Sequence, residues 1–190
     1  MANNLAFLKN AKKIILEVNT AVPESILGFH DVFDSGDALK KPIIPITEPS
    51  SIAGSQTIPF DVSKVIGIVF SDITDSHAEL LPPDLITTTI ANHLLDLLSF
   101  EVKQGRLPHT LRPLQAGIGK VANAVLSGFK NSEFNNLTMY SEVLQDSTFE
   151  LIDSRKMTFA SASSLALSQQ YYENFMNNMD HYRGKVILRP

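Results

Sequence analysis

The chain has 190 residues, of which 44% are hydrophobic and 19% are charged, and its formal net charge is −4 at pH 7. This is the composition of a globular protein, and scattered basic residues in an acidic chain argue against a nucleic-acid partner. The chain contains no cysteine, which excludes disulfides, thiolate metal sites and a cysteine nucleophile.

The N-terminal half of the chain predicts strands and loops. Its first residues lack the apolar core of a secretory signal, and no apolar run approaches the roughly 20 residues that a membrane span needs, so we expect a cytoplasmic protein without a membrane partner. Short apolar runs at 13–18 and 64–70 predict buried parallel strands. The many prolines between them exclude helices, and we expect loops with edge strands in KPIIPIT (41–47) and SQTIPFD (55–61).

The C-terminal half begins after a polar stretch that ends in Pro82-Pro83 and predicts a linker. A helix with apolar residues at helical spacing follows, with Asp84 as its N-cap and Gly105 just after its end. Strands and helices then alternate: we predict strands at 111–115, 137–143, 156–167 and 184–189, and helices at 119–129, 146–153 and 169–179. This alternation indicates an α/β fold with a mostly parallel sheet. Both ends fall close to strands, so we expect the chain to be the middle of a larger protein.

Residues 117–122 read GIGKVA, which fits the G-x-G-x-x-G/A pattern. Two glycines let the backbone approach a phosphate, and the following helix offers unpaired N–H groups. A Walker A loop is excluded, because Leu114 and Val121 stand where it needs Gly and Ser or Thr. The pattern leaves a dinucleotide site, a coenzyme A site or a simple tight turn. Arg112 and Pro113 count against the first, whose preceding strand should be strongly apolar.

Glu142 is an acid within an apolar run. At the end of a strand it would be partly desolvated, which makes a carboxylate a better nucleophile; the alternative is an exposed acid. Asp146, the nearest rival acid, falls at the predicted N-cap of the next helix. Lys120 could contact a phosphate or simply face solvent.

The five histidines form no metal-spaced pair. His77-Ala78-Glu79 matches half of a zinc deaminase motif, but the cysteines which that motif needs are absent. We therefore predict no metal site.

Two stretches carry a resemblance to a known family: PLQAGIGKVANAVL (113–126) and YSEVLQD (140–146). In order and spacing, the chain from about residue 7 to 190 resembles the acetyl-CoA hydrolase / acetate CoA-transferase family, most densely from 101 to 165. The resemblance implies an α/β, CoA-transferase-like fold with mostly parallel sheets. It assigns 1–74 to the end of a first domain, 75–84 to a linker, and 85–190 to the first half of a second domain that carries the glutamate.

The resemblance also implies an enzyme and a mechanism. Glu142 matches the family's nucleophile, which attacks an acyl-CoA such as acetyl-CoA or succinyl-CoA and passes through an anhydride to a glutamyl-CoA thioester; a carboxylate such as acetate, or water, completes the reaction. The turn is implied to contact CoA, with the N–H near Ile118 directed at the oxyanion. The residues of this implied CoA contact are Gln115, Ala116, Gly117, Ile118 and Gly119. No cofactor is required, since coenzyme A enters as substrate.

Partners implied by the resemblance are acyl-CoA and small carboxylates, with a homo-oligomer or a complementary chain as protein partner. The location would be mitochondrial if a longer form carries a targeting segment. Lys120 stands where the family usually has Asn, and two further glycine-rich motifs of the family lie outside this sequence. A non-catalytic remnant or interaction module that retains part of a CoA site is therefore an alternative, and a dinucleotide-binding oxidoreductase is a third hypothesis.

Overall fold

A computed structural model describes residues 4–34, 36, 42–77 and 82–189. It has the predicted α/β architecture, and every strand pair among the described residues is parallel. The helices are α1 (Asn4–Asn10), α2 (Leu85–Lys103), α3 (Lys120–Phe129), α4 (Asp146–Asp153), α5 (Gln169–Asn177) and α6 (Met179–Tyr182). The strands are β1 (Ile14–Asn19), β2 (Val65–Ser71), β3 (Leu137–Tyr140), β4 (Val143–Gln145), β5 (Met157–Ala162), β6 (Ser164–Ala166) and β7 (Val186–Leu188).

Within the described ranges, no helix combines the length and the apolar character that crossing a membrane requires. The predicted linker at 75–84 lies partly outside the described residues, and the predicted domain bounds stay predictions.

The first sheet contains only β1 and β2, in the register Leu16 opposite Ile68. The two strands form as predicted, but their predicted burial is wrong. Ile66 is 60% exposed, Ile68 57% and Phe70 71%, so the face of β2 that carries these three side chains is not covered by a described element, whereas the opposite face is mostly half-buried. A strand sequence fixes an extended backbone, whereas burial requires a second layer to pack against it.

The two edge strands predicted in the proline-rich region do not form. Residues 42–47 have no strand structure, and in 55–61 only Ser55 makes a single bridge, to Val32. Proline removes the N–H donor that a ladder needs, which explains the absence of longer pairing.

The second sheet has the order β3–β5–β7 and is extended at each side by a single bridge. Leu114 pairs with Met139 of β3, and His30 pairs with Leu188 of β7. The sheet and helices α3 to α6 enclose a core rich in aromatic side chains. These buried rings belong to Phe29, Phe129, Phe134, Phe149, Phe175 and Tyr182. Phe29 comes from the N-terminal half, so the core of the second sheet includes a residue from before the predicted linker.

The strand predicted at 137–143 is divided in two. β3 pairs with β5 in the main sheet, whereas β4 pairs with β6 in a separate pair, and Ser141 and Glu142 lie at the break. The neighbouring segment is interrupted at the same level, between β5 and β6. Two backbone hydrogen bonds connect the two breaks: the N–H of Ser141 donates to Ser161 O at 2.9 Å, and the N–H of Ser163 donates to Glu142 O at 2.9 Å. The predicted extended segment 156–167 is accordingly β5 and β6.

Helix α2 forms as its sequence predicts. The N–H of Thr87 donates to the Asp84 side chain at 2.8 Å, and the N–H of Asp84 donates to Thr87 Oγ1 at 2.9 Å, which makes a complete capping box. Gly105 follows the helix with φ +71°, a conformation that glycine adopts without strain. The predicted helix 169–179 is divided at Asn178 into α5 and α6, and α1 was not predicted.

Candidate functional site

The glycine turn, residues 115–119, connects the bridge at Leu114 to the start of α3. Gly119 has φ +147°, which L side chains rarely adopt, so the backbone itself requires glycine there. Gly117 has a negative φ and a Cβ built on it would meet nothing within 4 Å, so neither backbone strain nor packing requires glycine at that position. At both glycines the space beside the backbone is empty, so a ligand could approach the backbone of the turn closely.

The start of α3 offers free donors. Gly119 occupies the N-cap position without a side-chain cap, and no described residue accepts from the N–H groups of residues 120–122. Residues 120–122 also line a cavity of about 760 Å³, which extends from the turn along α3 as far as Phe129 and is bounded by Leu94 and Leu98 of α2. The donors, the positive end of the helix and Lys120 suit a phosphate or an oxyanion, whereas the apolar walls suit an alkyl chain.

Two buried polar side chains hold the turn against the break between β3 and β4. The Ser141 hydroxyl donates to Ala116 O at 3.0 Å and accepts from the N–H of Ala116 at 3.4 Å. The Gln145 amide donates to Gly117 O at 3.0 Å. Ser141 and Gln145 are 9% and 1% exposed. Sequence reasoning missed both; the available signal was two polar residues that flank Glu142 inside an apolar run.

Glu142 itself is exposed, so of the two alternatives the structure shows the exposed acid and not the partly desolvated carboxylate. Its carbonyl oxygen accepts from the N–H and the hydroxyl of Ser163, at 2.9 and 2.7 Å, which fixes its backbone. Glu142 lines a separate cavity of about 250 Å³, together with Tyr140, Ser141, Ser161, Ala162, Ser163 and Arg189. The structure therefore brings the backbone of Glu142 close to the turn, but the glutamate and the turn line different cavities.

Asp146 does not occupy the N-cap that its sequence position predicts. Gln145 is the N-cap residue and Asp146 is the first residue of α4. The Asp146 carboxylate accepts from the N–H of Ser168 at 2.9 Å, which ties α4 to the start of α5. Asp146 therefore has a structural role, and it does not line the Glu142 cavity.

A buried ion pair on the other side of Glu142 was also missed. Arg189, which is 10% exposed, bonds to Asp31, which is 1% exposed. Arg189 also donates to Pro49 O at 2.6 Å and Ser51 O at 2.7 Å. Because 158 residues separate Arg189 from Asp31, no spacing in the sequence indicates the pair.

The remaining candidates of the sequence analysis lie apart from the turn and Glu142. The His77 ring packs against Tyr172 at 5.1 Å between centroids, and Ala78 and Glu79 lie outside the described residues. No group of three or more His, Asp or Glu side chains in the described part of the chain is arranged to hold a metal ion. The absence of a metal site from this protein stays a prediction.

Comparison with known proteins gives a consistent result. The chain is 43% identical to the acetyl-CoA hydrolase of Schizosaccharomyces pombe over 180 residues, which are 95% of this chain and 34% of that protein. It is 41% identical to the acetyl-CoA hydrolase of Neurospora crassa over 183 residues, 96% of this chain and 34% of that protein. The chain thus spans about a third of the length of the curated relatives that it matches. No family model matches it.

Solved structures show the same fold. RipA from Yersinia pestis matches with a TM-score of 0.59 at 19% identity, over 98% of this chain and 35% of that one. The 4-hydroxybutyrate CoA-transferase from Porphyromonas gingivalis matches with a TM-score of 0.58 at 18% identity, over 97% and 38%. Since these identities are low, they establish the CoA-transferase-like fold alone. By sequence, the chain is similar to the acetyl-CoA hydrolases over the third of their length that it matches.

Proposed function

We propose that the chain supplies the CoA-contacting turn and the nucleophile of an acyl-CoA hydrolase or CoA-transferase, with acetyl-CoA or succinyl-CoA and carboxylates such as acetate as substrates. One observation carries the proposal: Ser141 and Gln145, which flank Glu142, hydrogen-bond the backbone of the turn. These bonds hold the start of α3 and the backbone of Glu142 at a fixed separation. Such preorganisation is what acyl transfer needs, because oxyanion donors must already be in place when charge develops.

The proposed reaction proceeds through two covalent intermediates. A Glu142 carboxylate oxygen attacks the acyl carbon, the C–S bond breaks, and CoA leaves as thiolate, which gives an acyl-glutamyl anhydride. The thiolate then attacks the glutamyl carbon, the acyl group leaves as a carboxylate, and a glutamyl-CoA thioester remains. Water releases CoA and regenerates Glu142, or a second carboxylate attacks and the steps reverse to give a new acyl-CoA. The exposure of Glu142 is compatible with either acceptor.

The labelling of Glu142 tests the nucleophile. Incubation with acetyl-CoA, trapping with borohydride or hydroxylamine, and mass spectrometry should locate the modification on Glu142. Glu142→Gln should abolish labelling, and Asp146→Asn should keep most of it, since Asp146 bonds to the start of α5. Labelling that survives Glu142→Gln would contradict the assignment.

Ligand preference tests the turn. We expect calorimetry to detect CoA and not NAD, because the cavity combines helix N–H donors and Lys120 with a long apolar wall. Gly119→Ala should weaken CoA binding about tenfold or more, since the side chain strains a backbone with φ +147°. Gly105→Ala is a control outside the cavity, where the positive φ of +71° is strained less severely than the backbone of Gly119. Tighter binding of NAD than of CoA would support the dinucleotide hypothesis instead.

A second candidate function is a non-catalytic interaction module that keeps part of a CoA site. It is favoured by the separate cavities of Glu142 and the turn, and by the exposed apolar side chains of β2 and α2. In this case CoA binds without labelling Glu142, and the chain associates with a second copy or a complementary chain. Light scattering and pull-down with the other segments of a relative would detect that association. A cytoplasmic location, or a mitochondrial one for a longer form, stays a prediction.

A further inference from the structure

A second cavity lies next to the cavity that contains Glu142, and the two share one lining residue. This second cavity, of about 360 Å³, lies under residues 44–49, here termed the strap. Ile44, Ile46, Thr47, Glu48 and Pro49 of the strap line this cavity with Pro113 and Tyr140. Tyr140 is also part of the 250 Å³ cavity that contains Glu142. Among the described residues it is the one that lines both cavities, so Tyr140, which is 47% exposed, lies between them and is here termed the wall.

Tyr140 is held in place from two directions. Its N–H donates to Leu114 O at 2.9 Å, which fixes its backbone at the end of β3. The Arg189 guanidinium lies 5.8 Å from the centre of its ring, within the range of a cation–π contact. Arg189 is in turn fixed by Asp31 and by the carbonyl oxygen of Pro49 in the strap. The wall is therefore braced by contacts that reach both cavities.

The geometry points to Tyr140 as a specificity-determining residue for the acyl group at Glu142, an inference that rests on the proposed function. With the ring in place, an acyl chain beside Glu142 has about 250 Å³ available, and the ring blocks its extension towards the strap. Without the ring, the two cavities join and the volume more than doubles. The apolar side chains Ile44 and Ile46 would then receive the end of a longer chain. Tyr140 thus restricts the site to short acyl groups.

The test compares binding of acetyl and hexanoyl thioesters of N-acetylcysteamine, which are neutral and are not repelled by Glu142. Amide shifts of residues 141–143 in nuclear magnetic resonance titrations report binding beside Glu142 without any need for turnover. Wild type should prefer the acetyl thioester. Tyr140→Ala should raise the hexanoyl-to-acetyl affinity ratio about tenfold, which is the lower end of what a hydrophobic pocket gains per accommodated methylene.

Two matched variants separate the wall from general packing. Tyr140→Phe keeps the ring and should keep the wild-type ratio. Ile44→Ala enlarges the strap cavity but leaves the wall, so it should also keep that ratio. Circular dichroism verifies that each variant is folded.

The inference is overturned if Tyr140→Ala leaves the ratio unchanged, if wild type binds both thioesters equally, or if neither thioester shifts these amides in any variant. Failure of the proposed function has a different signature. In that case Glu142→Gln does not alter acetyl-CoA labelling, or no labelling occurs, while the thioester preference still reports on Tyr140.

Discussion

The β1–β2 pair and the three-stranded sheet β3–β5–β7 are both parallel and both contain apolar strands, but they differ sharply in burial. In β7, Val186, Ile187 and Leu188 are 1%, 8% and 7% exposed, whereas in β2 Ile68 and Phe70 are 57% and 71% exposed. β7 lies between β5 and the bridge at His30, with the aromatic core beneath it. β2 pairs with β1 and no other strand in the described residues. Apolar strand sequences are thus enough to form a sheet, whereas the layers packed around the sheet determine how much it stabilises the fold.

Removing a core aromatic ring should produce the largest difference between the two sheets. Phe149 is fully buried and contacts the rings of Phe175 and Tyr182 at 5.5 and 5.2 Å. Phe149→Ala should lower the free energy of unfolding by about 3–5 kcal/mol. Phe70→Ala in β2 removes the same ring from an exposed site and should change it by only about 0.5 kcal/mol. Urea denaturation measures both, and equal losses would mean that Phe70 is as well packed in solution as Phe149.

Breaking the Asp31–Arg189 pair should have the second largest effect. Asp31→Ala leaves a buried guanidinium without its partner, which we expect to cost about 3 kcal/mol of unfolding free energy. The double variant Asp31→Ala with Arg189→Met removes both charges and should recover part of that loss. Asp34→Ala, which breaks the exposed contact with Lys9, should have no measurable effect. If Asp31→Ala leaves the free energy of unfolding unchanged, the N-terminal segment contributes little to the stability of the second sheet.

Binding of an apolar dye should report the exposed side chains of β2. The exposed apolar side chains of β2 should make the chain bind an apolar fluorescent dye. Replacing Ile68 and Phe70 by serine should lower the fluorescence markedly, with a small change in stability because neither side chain is buried. A compact wild-type monomer that binds no dye would indicate that these side chains are covered in solution.

The smallest expected effect concerns pH. Burial lowers the pKa of His30, which bridges to β7, below its usual value of 6.5. In the pH range between the lowered pKa and about 6.5, the unfolded chain binds more protons than the folded chain, so stability falls as pH falls. Thermal melts at pH 7.5 and 5.5 should show a smaller drop for His30→Asn than for wild type. His93→Asn, at an exposed position of α2, should retain the wild-type drop.

Features that depend on a few neighbouring residues could be predicted from the sequence. The capping box at Asp84 and the glycine after α2 follow from local hydrogen bonds and backbone angles, and both are observed. The α/β class and the parallel pairing follow from alternating periodicity, and they too are confirmed. The turn at 115–119 and Glu142 were identified by resemblance to a family, and their roles stay predictions.

The tertiary structure alone decided the environment of that candidate site. The exposure of Glu142, the bonds from Ser141 and Gln145 to the turn, and the Asp31–Arg189 pair all depend on which segments meet after folding. Backbone conformation is set by steric and hydrogen-bond preferences among neighbours, which the sequence displays directly. Burial and side-chain partnership depend on contacts between residues up to 158 positions apart, for which a single sequence carries no local signal.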